Sequence, residues 1–472
     1  MAIEGAALPR ALLHTSPETP FYIPATRPGT RPRRTLKHDD TFMVLDVHGD
    51  IGASEGGPDG LFHCDTRFLS RLELLLNGMQ PLLLGCNVRD DNTSLTVDLT
   101  NPDVYRGDHL ILPKDTIHIV RSFFLWRDTA YQRLAIRNHG DAPIDLTVNI
   151  CFDGDFADLF EVRGMRRTAR GVVHRTFTAA SAVLVYDGLD GKQRRTALMF
   201  DPPPTNRSGS STDYHVRLAP KAATSIVLTV ACGIPDPPKA VPFLRGLRTA
   251  HREMRTSSRN AATVVTSNDI FNEVLCRSTA DLYMLMTRTP QGPYPYAGIP
   301  WYSTTFGRDG LITALQMLWL DPSIAQGVLR RLAFYQAKTD DPASDAQPGK
   351  ILHEMRGGEM AALREVPFGL YYGSVDSTAL FVMLAGRYLE RTGDEETITA
   401  LWPAIERALA WIDGPGDYDG DGFTEYYRAT EEGLANQGWK DSQDAIFHAD
   451  GRLAEGPIAL AEVQGYVYCA KC

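Results

Sequence analysis

The chain has no apolar run approaching the roughly 18 to 20 residues that a membrane span needs, so no membrane partner is expected. Its first stretch, MAIEGAALPRALLHTSPETPFYIP, lacks the basic start and sustained apolar segment of a secretory signal, which implies a cytoplasmic location. Positive charge is also short. The 48 Lys and Arg are outnumbered by 58 Asp and Glu, for a formal net charge of -10. That balance argues against nucleic acid held on a basic surface and suits a neutral partner such as a sugar. Cysteine is sparse: Cys64, Cys86, Cys151, Cys232, Cys276, Cys469 and Cys472 are odd in number and show no CxxC or Cys/His spacing. Free thiols are expected, rather than disulfides or a metal site, and no cofactor is implied.

What is present divides into two textures. A length of 472 residues exceeds what one hydrophobic core usually supports. Residues 1–35, rich in Pro, Thr and Arg without periodicity, read as a flexible arm. Residues 36–235 carry short runs such as IHIVRSFFLW, PIDLTVNICFDGDF and TSIVLTVACG, rich in β-branched and aromatic residues and bounded by Gly, Asn, Asp and Pro. That pattern predicts an antiparallel β-sandwich. The Pro-rich GIPDPPKAVP cannot continue a strand ladder, and residues 236–265 read as a linker containing a helix.

From residue 266 to 472 the period becomes helical, with helices expected at 267–287, 309–320, 323–338, 374–391, 395–413 and 457–470. Their connections alternate between long (288–308, 339–373, 414–456) and short. In a layered array of antiparallel pairs, this alternation brings the three long loops to one end, where sites are built. The loops concentrate aromatics and carboxylates, which favours a helical toroid with a pocket over a plain solenoid.

Sugar binding needs rings against pyranose C–H faces and polar groups that pair with hydroxyls. Trp301, Tyr302, Tyr371, Tyr372 and Trp439 are candidate platforms, and each is equally suited to anchor its loop to the core. Arg308 and Asp309 stand at a helix start, where Asp309 serves as a cap or first-turn acid with Arg308 as its ion-pair partner, or as a sugar ligand. DYDGDGFTEY begins like an EF-hand, but Arg428 occupies the position that needs a bidentate Glu, so a turn is the better reading. The acids available for glycoside chemistry are Asp441, Asp444, Glu354, Asp376 and Glu425. Trp439 on the same face of the loop would reduce the solvation of Asp441 and raise its pKa, as an acid catalyst requires, while Lys440 points elsewhere.

GLFHCDTRFLSRLELLLNG, NICFDGDFADLFEVRG, IPWYSTTFGRDGLITALQML, NQGWKDSQD and PIALAEVQGYVY resemble bacterial proteins of the glycogen debranching enzyme, or amylo-α-1,6-glucosidase, family. The resemblance spans about residues 36–472 and implies an N-terminal β-sandwich followed by an incomplete (α/α)6 toroid that hydrolyses an α-glucosidic linkage with inversion. It implies Asp441 as general acid, with Asp444 as the fallback. Arg308 and Asp309 would hold substrate hydroxyls, and Trp301, Glu462 and Gln464 would border the pocket. Tyr372, Asp376, Trp439 and Lys440 complete the expected substrate-binding set, and the partner is an oligosaccharide or polysaccharide. The family's general base, a Glu in the second half of the toroid, is expected beyond residue 472, which makes residues 1–472 an expected truncation without hydrolytic activity. A disaccharide phosphorylase of similar architecture and a non-catalytic glucan-binding protein are the competing readings.

Overall fold

The computed structural model describes residues 32–52, 57–233, 241–440 and 442–472. An eight-stranded antiparallel sheet runs in the order Val172–Phe177, Ser181–Asp187, Gln193–Asp201, Ala223–Cys232, Thr129–Asn138, Ile117–Trp126, Leu95–Thr100 and Leu82–Val88. A four-stranded sheet of Asn206–Ser208, Ser211–Leu218, Ile144–Asp153 and Arg71–Leu76 shares its core. The strand Ile144–Asp153 shows why: Ile144, Leu146, Val148, Ile150 and Phe152 alternate inward, and the residues between them are more exposed. A third sheet joins Arg33–His38, Thr41–Asp46, Gly60–His63 and Thr66–Leu69.

The first of these strands begins inside the stretch read as a flexible arm. Arg33 pairs with Asp46 across the ladder, its Nε donates to Asp59 Oδ1 at 2.7 Å, and Leu36 is buried in the core. The rest of that arm lies outside the described residues, as do residues 234–240 of the expected boundary. The linker helix forms at Phe243–Ser257 and docks onto the large sheet through Phe243, which meets the Phe124 ring edge-on at 5.0 Å.

The helical region contains Asp269–Leu285, Gly307–Met317, Pro322–Phe334, Asp376–Thr392, Glu395–Ile412 and Ala461–Lys471, within a few residues of the periodicity. Local chemistry sets their ends. Asn268, Asp321 and Asp394 accept first-turn amides, Pro322 takes the first helical position, and Gly393 ends its helix at φ +66°. Helix Asp376–Thr392 is the hub, packed against four of the other helices and burying ten of its seventeen residues. The fold is therefore an antiparallel β-sandwich followed by the successive helical hairpins of an (α/α)6 array.

The two regions are joined by more than the linker. Arg356, in the second long loop, donates to Glu354 Oε1 at 2.5 Å, to Asp65 Oδ1 at 3.0 Å and to the Trp301 carbonyl at 2.8 Å. Farther on, Met360 N donates to Asp158 Oδ2, while Glu359 accepts from Tyr186 and Arg167 of the sandwich side. Glu354 is thus a buried ion-pair partner of Arg356 in the clasp between the two regions.

Candidate active site

Three long loops meet at Arg308. It stands in the first turn of helix Gly307–Met317 and is buried, its Nη1 donating to the Gly438 carbonyl at 2.6 Å and its Nε lying 3.2 Å from Asp376 Oδ2. The expected pairing of Arg308 with Asp309 is corrected. Adjacent helical residues point about 100° apart, so Arg308 turns inward while Asp309 is exposed as a first-turn acid. Phe306 holds the cap position without a side-chain hydrogen bond. Gly307 is glycine for a steric reason: a Cβ there would collide with the Leu352 carbonyl.

Asp376 opens the hub helix at 1% exposure. Ser374 Oγ donates to its Oδ1 at 2.5 Å, and Val375 N donates to the Gln437 carbonyl at 2.9 Å, tying second loop to third. Burial pushes the Asp376 carboxyl above its ordinary range, and Arg308 draws it partly back. Behind this pair, Asp345 Oδ2 accepts from Tyr371 Oη at 2.8 Å and Gln437 Nε2 at 3.2 Å, and Asp345 Oδ1 accepts from Ala429 N at 2.8 Å. His353 is buried between the Phe306 and Tyr371 rings, both edge-on. Burial, with Arg308, Lys350 and Arg356 nearby, drives its pKa well down, so the imidazole is neutral. Neither Asp345 nor His353 was singled out from sequence, because the side-chain contacts that bring them to the site come from distant loops and helices.

His353 Nδ1 and Gln437 Oε1 are buried without a hydrogen-bond partner among the described residues, and Arg308 Nε has only its ion pair with Asp376. Unsatisfied buried donors and acceptors are uncommon, and two at one convergence of loops mark a place that a polyhydroxyl ligand could satisfy.

The other expected site residues separate into three groups. Trp439, Lys440 and Asp444 are exposed on the third loop, Trp439 at 58%, with Trp439 and Lys440 directly after Gly438; Asp441 lies outside the described residues. Trp301, Tyr372 and Gln464 act as anchors. The Trp301 ring packs on the cluster of Phe42, Val44, Phe62 and Leu159, Tyr372 Oη donates to the Tyr335 carbonyl at 2.7 Å, and Gln464 clamps Thr424 through both N–H and C=O. Glu462 is a half-buried first-turn acid of helix Ala461–Lys471.

Among the described residues, Asp417, Asp419 and Glu425 form the one group of three acids close enough to share a cation, within 4.8 Å. Their geometry is that of a turn: Asp417 accepts from Gly420 N and Gly422 N, and Glu425 accepts from Tyr418 N. A cleft of about 340 Å³ is lined by Ala337, Lys338, the second loop and Glu432, and by neither Arg308 nor Asp376. Polar convergence, rather than cavity size, therefore locates the candidate site.

The chain can now be set beside known proteins. Residues 36–229 match the family described as the N-terminal domain of (some) glycogen debranching enzymes. Among solved structures, a human-microbiome protein assigned as a kojibiose phosphorylase is similar, with a TM-score of 0.57 at 9% identity over 83% of this chain and 58% of its own. A bacterial glucoamylase complexed with acarbose aligns with a TM-score of 0.45 at 11% identity, over 81% of this chain and 62% of its own. The chain thus spans about three-fifths of the length of these two proteins. No curated protein matches it in sequence. By the first of the structural matches, the fold joins a β-sandwich to the helical hairpins of an (α/α)6 toroid.

Proposed function

We propose that this chain belongs to an inverting glycoside hydrolase of amylo-α-1,6-glucosidase type, acting on α-glucosidic linkages of a glycogen-like glucan or a related glucoside. The observation that carries this reading is the convergence of the three long loops on Arg308, Asp376 and Gly438, next to a debranching-type N-terminal domain. A buried arginine and carboxylate, with a neutral histidine and an amide beside them, are suited to gripping the hydroxyls of one sugar unit. Trp439 supplies an exposed ring on the same loop.

In this reading Asp441, beside Trp439 and Lys440, is the general acid that protonates the glycosidic oxygen, with Asp444 behind it. Water attacks the anomeric carbon from the opposite face, which needs a second carboxylate about 6.5–9.5 Å from the acid. The buried acids of the rim do not fill that role: Asp376 is committed to Arg308 and Ser374, Glu354 to Arg356, and Glu425 to a turn amide. The test is Asp441→Asn in the intact protein. Hydrolysis of a branched glucan should fall by about 10²–10⁴-fold, with β-glucose as the first product of the unmutated enzyme by NMR. Turnover of Asp441→Asn near the unmutated level would sink the assignment.

A second reading is supported by the fold match to the protein assigned as a kojibiose phosphorylase. Phosphate-dependent release of a glucose phosphate from a disaccharide would decide in its favour.

A further inference from the structure

We propose that the cleft of about 340 Å³ beside the Arg308–Asp376 pair is a second carbohydrate subsite, one that holds the glucan chain beyond the unit gripped at that pair. This rests on the glucan-hydrolase reading above and extends it from a single sugar unit to a chain several units long.

The cleft is within the size range of ligand sites, about 300–1,000 Å³, and it is built from the same loops as the candidate active site. The two share a wall. Ser344 and Ala346 line the cleft, and Asp345 between them faces the other way, accepting from Tyr371 and from Gln437, whose neighbour Gly438 holds Arg308. Asp345, Tyr371 and Gln437 are themselves buried, so this layer is closed and glucan reaches the cleft from the surface, where Lys338 and Leu370 are exposed.

The lining has the two parts that a sugar requires. Leu370, 41% exposed, offers apolar surface for a pyranose C–H face, and the buried Tyr372, fixed by its hydrogen bond to the Tyr335 carbonyl, forms the floor beneath it. Lys338, Arg364, Asp341 and Glu432 stand around them with donors and acceptors for hydroxyls. Two cations balance two anions, so the cleft favours a neutral ligand over phosphate or a cation. Among the described residues, Lys338, Arg364 and Glu432 form no ion pair. The walls are also held in conformations that side chains seldom adopt: Asp345 has φ +51° and Arg364 φ +57°. Strain of this kind concentrates at binding sites. Asp341 fixes the turn above the cleft, accepting from Ala343 N at 3.2 Å and Ser344 Oγ at 2.9 Å.

The experiment compares maltose with maltohexaose by titration calorimetry on the intact protein, with Lys338→Ala/Arg364→Asn and Leu370→Asp as variants. Asn tolerates the left-handed backbone at Arg364, and all three positions are exposed, so melting temperatures should not move. The unmutated protein should prefer maltohexaose. Each variant should lose about tenfold in maltohexaose affinity while keeping its maltose affinity. Equal maltose and maltohexaose affinities in the unmutated protein, or variants that bind maltohexaose normally, overturn the subsite and leave the hydrolase reading standing. Binding of inorganic phosphate that the Lys338→Ala/Arg364→Asn variant abolishes also overturns it. If neither sugar binds the unmutated protein, the hydrolase reading fails, and the subsite with it.

Discussion

The Arg308 guanidinium lies 3.2 Å, Nε to Oδ2, from the Asp376 carboxylate, and the two side chains are 9% and 1% exposed. The pair joins the start of one helix to the start of another and, through Gly438, to the loop that carries Trp439. A buried pair of this kind is costly to break, because the surviving charge has no solvent and no partner, whereas replacing both members can be neutral. Asp376→Asn should therefore lower unfolding free energy by about 3–5 kcal/mol. The double replacement Arg308→Met/Asp376→Leu should recover most of that loss without recovering sugar affinity. Chemical denaturation and calorimetry on the same samples check both halves. Sugar binding that survives in the double variant removes the pair from the site.

Two tryptophans that looked alike in the sequence should behave differently. Trp439 is 58% exposed beside Gly438, whereas the Trp301 ring packs against the sandwich cluster of Phe42, Phe62 and Leu159. Trp439→Ala should weaken glucan binding at unchanged melting temperature. Trp301→Ala should destabilise by on the order of 3 kcal/mol, as loss of a packed aromatic does. A stability loss at Trp439 with no loss of binding reverses the assignment.

The contrast shows what the sequence could convey. Strand alternation in PIDLTVNICF and helical periodicity around Asp376 are local signals, and both elements lie where those signals put them. Alternating loop lengths sufficed to bring FGRDG, YYGSVDS and NQGWK to one end, because antiparallel packing leaves few other arrangements. Partner choice was not legible. Arg308 pairs with Asp376, sixty-eight positions away, rather than with its neighbour, and Glu354 is taken by Arg356. Asp345 sits in DPASDAQPG, which carries no pattern beyond a turn, yet it holds three parts of the site together. Such contacts depend on which loops meet, and that is settled only when the helices have packed.

Arg356 bears on how the two halves cooperate. Its side chain, 1% exposed, is shared by Asp65 of the sandwich, Glu354 of the second long loop and the Trp301 carbonyl of the first. Arg356→Met leaves two buried carboxylates without their cation, and the loss should be about 3–5 kcal/mol. Because the damage falls on the clasp, residues 339–373 should become sensitive to protease while the sandwich stays resistant. A variant whose cleavage pattern matches the unmutated protein would show that the clasp does not hold the loop in place.

Two buried lysines set a pH dependence whose sign can be worked out. Lys37 Nζ donates to Thr287 Oγ1 at 2.7 Å and to the Leu285 carbonyl, and Lys350 Nζ donates to the Asp345 carbonyl at 3.2 Å. Burial lowers each from 10.5 to about 8, against the opposing pull of Asp40 on Lys37 and of Asp345 on Lys350. The folded chain therefore binds fewer protons than the unfolded one between pH 8 and 10.5. The penalty for keeping these lysines charged is full below pH 8, and it disappears as pH rises through that window, so their contribution raises stability with pH. It amounts to a few kcal/mol for each lysine at most. Other groups titrate in the same range, so the test is a difference: unfolding free energy of the unmutated protein minus that of Lys37→Met, followed from pH 7 to 10.5. The difference should shift in favour of the unmutated protein as pH rises, and a flat difference would show that Lys37 keeps its ordinary pKa in the folded chain.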